Sequence, residues 1–167
     1  MKYFHLSFVS LFLSTMLIAQ VPDTQPKSEG SITSAENIQK VLIAFINAWN
    51  IHDAHAFSMV FAEDADFTNV RGMGAHSRAE VEKFHEQPFA TWFKESNLKI
   101  TANKVRFIKP DVAAVDAWWE MTGAKTPDGK DIPLRKGLLN FIMTMNDAKW
   151  FITVMHNMEL PLTPLTR

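Results

Sequence analysis

The sequence predicts an α+β domain in which helices come first and an antiparallel sheet follows. Three observations carry this. Between residues 33 and 93 the apolar side chains recur mainly at helical spacing. From residue 98 onward they form four long strand-like runs. The links between those runs, such as "KPDV" and "NDAK", are short enough for hairpins. Helices before sheet place the helices on one face of it. The 167 residues, 47% of them hydrophobic, suffice for one domain with a sizeable core, and no internal repeat is visible.

The chain opens with "MKYFHLSFVSLFLSTMLIAQ", one lysine followed by an apolar run from about Phe8 to Ala19. The run is short for a bilayer span and has the length of a signal-peptide core. Residues 1–19 are therefore expected to be removed, leaving a secreted or periplasmic protein that begins near Gln20 and has no membrane attachment. No cysteine follows to carry a lipid anchor. Residues 20–32 are polar and rich in Pro, Gly and Ser, as in a disordered spacer. The domain proper is expected over 33–162, with a short tail over 163–167.

Within the domain, "TSAE" (Thr33 to Glu36) has the pattern of a capping box. Ile38, Val41, Leu42, Phe45, Ile46 and Trp49 then give one helix a buried stripe as far as about Ile51. Asp53 can cap a short second helix over 54–61. "DADFTNV" predicts a strand from Asp66 to Val70, and "RGMG" predicts a turn. "SRAE" (Ser77 to Glu80) opens a longer helix that carries Val81, Phe84, Phe89, Trp92 and Phe93, with Pro88 expected to kink or divide it. Strands are expected over 98–108, 112–124, 132–146 and 149–159, joined as an antiparallel meander.

Charge and composition exclude several classes of function. Seventeen basic and 18 acidic side chains leave a formal net charge of −1 with no basic stripe, which argues against nucleic acid as a partner. Cysteine is absent, so thiolate catalysis and thiolate metal sites are ruled out. Gly72 and Gly74 lack the strand–glycine–helix frame and the lysine of a phosphate loop. No cofactor is implied.

The segment "HDAHAFSMVFAEDADFTNVRG", followed by "SRAEV", resembles the opening of SnoaL-like domains in the nuclear-transport-factor-2-like, cystatin-like superfamily. "VRFIKPDVAAVDAWWEM" and "WFITVMHNMEL" resemble later strands of its SgcJ/EcaC subgroup. The resemblance covers about residues 34–160. It implies a cone: a bent sheet wrapped around a long helix, two further N-terminal helices, and a pocket at the open end. It is a poor guide to activity, because this superfold hosts enzymes, carriers and dimerisation modules.

His52, Asp53 and His55 lack the spacing of a helical zinc site, so no metal is expected, and Asp53 is the natural cap between the histidines. Glu63, Asp64 and Asp66 read as a folding motif. In ketosteroid isomerases of this superfold a catalytic aspartate occupies the place that Asn69 corresponds to. An amide cannot act as that base, so Asn69 either orients a ligand or ties down its loop. His85 borders the apolar stripe of its helix, and is either a satisfied structural group or points into the cavity. Strand alternation puts only one of His156 and Asn157 on the concave side; His156 shares a phase with Trp150, Ile152 and Val154 and is the favoured one. Trp119 belongs to the core-like phase of its strand, whereas Trp118 is expected outside against a partner subunit. Arg135 is expected to pair with Glu120 or to reach over the pocket mouth.

These residues suggest a homodimeric domain that binds a small, largely apolar molecule. As an enzyme it would use His85 and His156 for general acid–base chemistry, with Asn69, Trp119 and Asn157 placing the ligand. A non-catalytic carrier or an interaction module is the other reading.

Overall fold

The computed structural model describes residues 29–162, with side chains from residue 33. The expected signal peptide, most of the expected spacer and the tail lie outside the described residues. Three helices, α1 (Glu29–Asn50), α2 (Ala54–Ser58) and α3 (Arg78–Ala90), accompany six strands: β1 (Phe61–Thr68), β2 (Gly74–His76), β3 (Asn97–Lys109), β4 (Val112–Thr122), β5 (Arg135–Asn146) and β6 (Lys149–Leu160). The longest helix is α1, at 22 residues. It begins at Glu29, one turn before the "TSAE" pattern, so the last residues of the expected spacer are helical.

Local sequence explains the other helix ends. The Asp53 carboxylate accepts from Ala56 N at 2.8 Å and caps α2 as expected. Ser77 caps α3, its hydroxyl accepting from Glu80 N at 3.3 Å, while the Glu80 carboxylate accepts from His76 N at 2.9 Å. Pro88 lies inside the last turn of α3, which ends at Ala90, short of the expected Phe93.

The sheet is open, with strand order β2-β1-β6-β5-β4-β3. Strands β3 to β6 form the expected antiparallel meander. Two features depart from expectation. The segment "RGMG" continues into β2, which pairs antiparallel with β1. Strand β1 lies parallel to β6, so the sheet is mixed rather than purely antiparallel. No hairpin links β1 to β6; α3 and four strands intervene along the chain, and such a crossover permits parallel pairing.

One face of the sheet holds the core. Strand β4 contributes Ala113, Val115, Ala117 and Trp119, and β5 contributes Leu139, Phe141 and Met143, all buried. Helix α1 lays Ile38, Leu42, Phe45 and Trp49 against that side. Phe45 has ring neighbours Phe57 at 4.7 Å and Phe141 at 5.7 Å, tying two helices to the sheet. Each such buried side chain stabilises the fold by about 1.5–3 kcal/mol.

Candidate functional site

His85 is on α3 and only 3% exposed. Its Nδ1 lies 2.7 Å from the Val81 carbonyl. A carbonyl can only accept, so Nδ1 carries the proton. Rings of Phe57 at 4.4 Å, Phe67 at 4.9 Å, Phe89 at 5.4 Å and Trp49 at 6.2 Å enclose the imidazole. Burial pushes its pKa down to about 4, against a smaller upward pull from the Val81 carbonyl. His85 is thus a neutral core residue at pH 7.

His156 is exposed and lies on the outer face. The alternation that favoured it inside is broken within β6. Met143 pairs with Ile152, but Ile142 pairs with Val154, so Thr153 is an extra residue in a β-bulge. Before the bulge Trp150 and Ile152 point inward; after it Met155 and Asn157 do. The run from Trp150 to Met155 is apolar on both phases except at Thr153, so nothing in its pattern marks the switch. The bulged residue does find a partner, its hydroxyl lying 2.7 Å from that of Thr144.

Asn157 therefore takes the inward place, and its Oδ1 accepts from Trp119 Nε1 at 2.9 Å. Trp119 is 2% exposed and its neighbour Trp118 37%, in the phase expected. Arg135 shares the inner face, because it pairs in register with Met121, next along from Gly137 and Trp119. Its guanidinium centre lies 5.8 Å from the centre of the Trp119 ring. Arg135 also makes a bidentate contact with Glu159 at 2.7 and 2.9 Å, which holds that carboxyl below the usual range. Glu120, the partner expected for Arg135, points to the outer face and pairs instead with Lys99 at 2.8 Å and Lys136 at 3.0 Å. Gly137 makes room for this group: a Cβ there would lie 2.2 Å from the Trp119 ring and 2.3 Å from the Met158 carbonyl oxygen.

Asn69 stands in the turn between β1 and β2. Its Oδ1 accepts from Arg71 N at 2.8 Å and from Met73 N at 3.0 Å, which is the loop-tying role. Arg71 of the same turn lies close enough to Glu159 to lower its pKa further. The structure thus brings Trp119, Asn157, Arg135 and Glu159 together where β4 ends and β5 begins, with the Asn69 turn nearby. It does not bring His85 and His156 to any shared space.

His52, His55 and Asp66 have local partners. His52 Nε2 lies 3.1 Å from the Ser96 carbonyl, and His55 Nδ1 lies 3.0 Å from Glu82. Asp66 pairs with His76 at 2.7 Å, which raises the pKa of His76. Among the described residues no cluster of three or more histidine, aspartate or glutamate groups could hold a metal ion. Two contacts have no sequence signal: Asn50 caps the open edge of β3 by accepting from Leu98 N at 2.8 Å and donating to Leu98 O at 3.0 Å, and Trp49 Nε1 donates to Ser96 Oγ at 3.1 Å.

Phe45, Phe57, Phe61, Phe141, Met143 and Met155 fill the space between α1 and the sheet. Two grooves open instead on the outer side. One, of about 790 Å³, runs past Arg78, Thr144, Lys149 and Phe151. The other, of about 670 Å³, is lined by Asp66, Thr68, His76, Glu80, Val154 and His156 among others.

Residues 42–151 match the SnoaL-like domain family. The chain belongs to that family. Similar solved structures agree on the architecture. A cystatin-like protein from Caulobacter vibrioides is 24% identical with a TM-score of 0.72, over 78% of this chain and 92% of that one. A protein from Novosphingobium aromaticivorans, provisionally named a scytalone dehydratase, is 15% identical with a TM-score of 0.70, over 79% and 87%. The hexachlorocyclohexane dehydrochlorinase LinA, type 2, is 13% identical with a TM-score of 0.73, over 82% and 92%. At these identities the likeness is one of fold. No curated protein matches the chain.

Proposed function

We propose that this SnoaL-like domain is a binding domain rather than an acid–base enzyme, taking a small, largely apolar molecule at the open end of its cone. The separation of the histidines carries this reading. A sealed, neutral His85 and an outward His156 cannot reach one reacting atom. Ligand contacts fall to the half-buried Asn157 and Arg135, with the buried Trp119 positioning Asn157 and Asn69 holding the adjacent turn. The motif wording of the chain supports membership of the SgcJ/EcaC subgroup, and its first twenty residues support secretion or a periplasmic location. Native mass spectrometry of the mature protein from its own host tests the reading. The expected result is a chain beginning near Gln20 with a bound small molecule that is lost in Trp119→Ala. A chain that retains residues 1–19, or one that carries no molecule and takes up no apolar fluorescent probe, overturns the corresponding part.

A second reading, self-association as the main task, is favoured by the outer face. There Trp118, Leu138 and Met158 stand side by side across β4, β5 and β6. Trp118 is 37% and Met158 44% exposed, and exposed apolar side chains grouped in this way mark an interaction surface.

A further inference from the structure

A second group of polar side chains lies away from the open end of the cone. The register between β1 and β6 jumps from Phe61–Ile152 to Asp66–Val154, so Ala62 to Ala65 leave the ladder, and the outer groove of about 790 Å³ opens beside them. Arg78 is fixed in its wall. Its Nε donates to the Phe61 carbonyl at 2.8 Å, and the amide of Ser77, just before it, donates to the Ala65 carbonyl at 2.8 Å. Ser77 holds φ at 85° and ψ at 151°, a backbone region that disfavours any side chain, and strain of this kind clusters at functional sites. The Arg78 guanidinium centre lies 5.7 Å from the centre of the Phe151 ring, and its two terminal nitrogens have no partner among the described residues. Lys149, Glu63 and Asp64 line the same groove, and none of them forms a side-chain hydrogen bond or an ion pair among the described residues.

We propose that this groove binds a short peptide with free ends, two or three residues long, by its ammonium and its carboxylate. The site is separate from the group at Trp119 and Asn157, where β4 ends and β5 begins, so it goes beyond the reading above and stands or falls without it. Because the Phe61 carbonyl holds Nε, Arg78 offers its two Nη groups, an end-on pair that matches a carboxylate. Lys149 adds a second positive charge, and Glu63 and Asp64 take the ammonium. A simple anion would gain from Arg78 and Lys149 but meet both acids, whereas a ligand carrying both signs is matched at each end. Met59, Ala62 and the Phe151 ring supply apolar surface for a side chain between the ends. Size separates a peptide from a free amino acid. The groove lies within the range of about 300–1,000 Å³ that suits drug-sized molecules, and a single amino acid would leave most of it empty.

The test is calorimetric titration of the purified protein with the dipeptide leucylphenylalanine, with amide NMR shifts to place it. Shifts are expected at Ala62, Lys149 and Phe151. Arg78→Gln should weaken binding about tenfold, and Lys149→Gln and the pair Glu63→Gln with Asp64→Asn about fivefold each. Lys149, Glu63 and Asp64 are exposed, so their variants keep the fold and carry the test if Arg78→Gln does not fold. Acetylating the amino end of the peptide and amidating its carboxyl end should each weaken binding to a similar degree. An acetylated peptide that binds as tightly as the free one reveals a plain anion site and overturns the proposal. Free leucine that binds as tightly as the dipeptide overturns the assignment to a peptide. No heat and no shift at about 10 mM peptide overturns the site itself. Shifts confined to Trp119 and Asn157 overturn it too, and at the same time support binding at the open end of the cone.

Discussion

Lowering the pH from 7 to 4 will remove about 3 kcal/mol of stability through His85 alone. The group's pKa falls from 6.5 to about 4 on folding, because burial among aromatic rings disfavours the cation. Above pH 6.5 both folded and unfolded chains hold it neutral, and its contribution is complete. Between 6.5 and about 4 the unfolded chain takes up a proton that the folded chain refuses, so stability falls. At about 1.4 kcal/mol per unit, a shift of this size is worth about 3 kcal/mol, lost as the pH drops to about 4. Urea unfolding from pH 7.5 to 4 of the native chain and of His85→Phe measures it. The variant keeps the aromatic packing and removes the titration. Acid loss from Glu120 and Glu159, and the opposite contribution of His76, are common to both chains and cancel in the difference. The native chain should lose about 3 kcal/mol more than the variant over that range. Parallel curves would refute the reasoning, as would an NMR titration of the His85 ring with a midpoint near 6.5.

Three further outcomes follow from the geometry. Gly137→Ala will cost about 1–3 kcal/mol in urea unfolding, since its methyl meets both the Trp119 ring and a backbone carbonyl; the same variant should change the indole NH signal of Trp119 by breaking its bond to Asn157. Asp53→Ala will cost about 1 kcal/mol through the lost cap of α2, and Asp53→Asn will restore most of it. Ala148→Gly will stabilise the chain by about 0.5–1 kcal/mol in thermal unfolding, because Ala148 holds φ at 60° in the β5–β6 turn, where a side chain crowds the backbone. An unchanged or lower melting temperature would show that the turn tolerates the methyl group without strain.

Sequence by itself determined the local structure. The caps of α2 and α3 need only a side-chain oxygen a few residues from an open amide. The four long strands and their short turns need only alternation and the right linkers. The phase that buries Trp119 and exposes Trp118 was legible for the same reason: polar Asp116 and Glu120 mark the other side of β4. Tertiary structure alone decided the rest. The parallel pairing of β1 with β6 joins segments with no turn between them, so no local pattern encodes it. The bulge at Thr153 moves Asn157 inward and His156 outward in a run apolar on both phases, where only the shape of the neighbouring strands selects the register. His85 could border a cavity or seal a core from its place on α3; the rings that surround it come from α1, α2 and β1, and only their convergence made it a buried, neutral group.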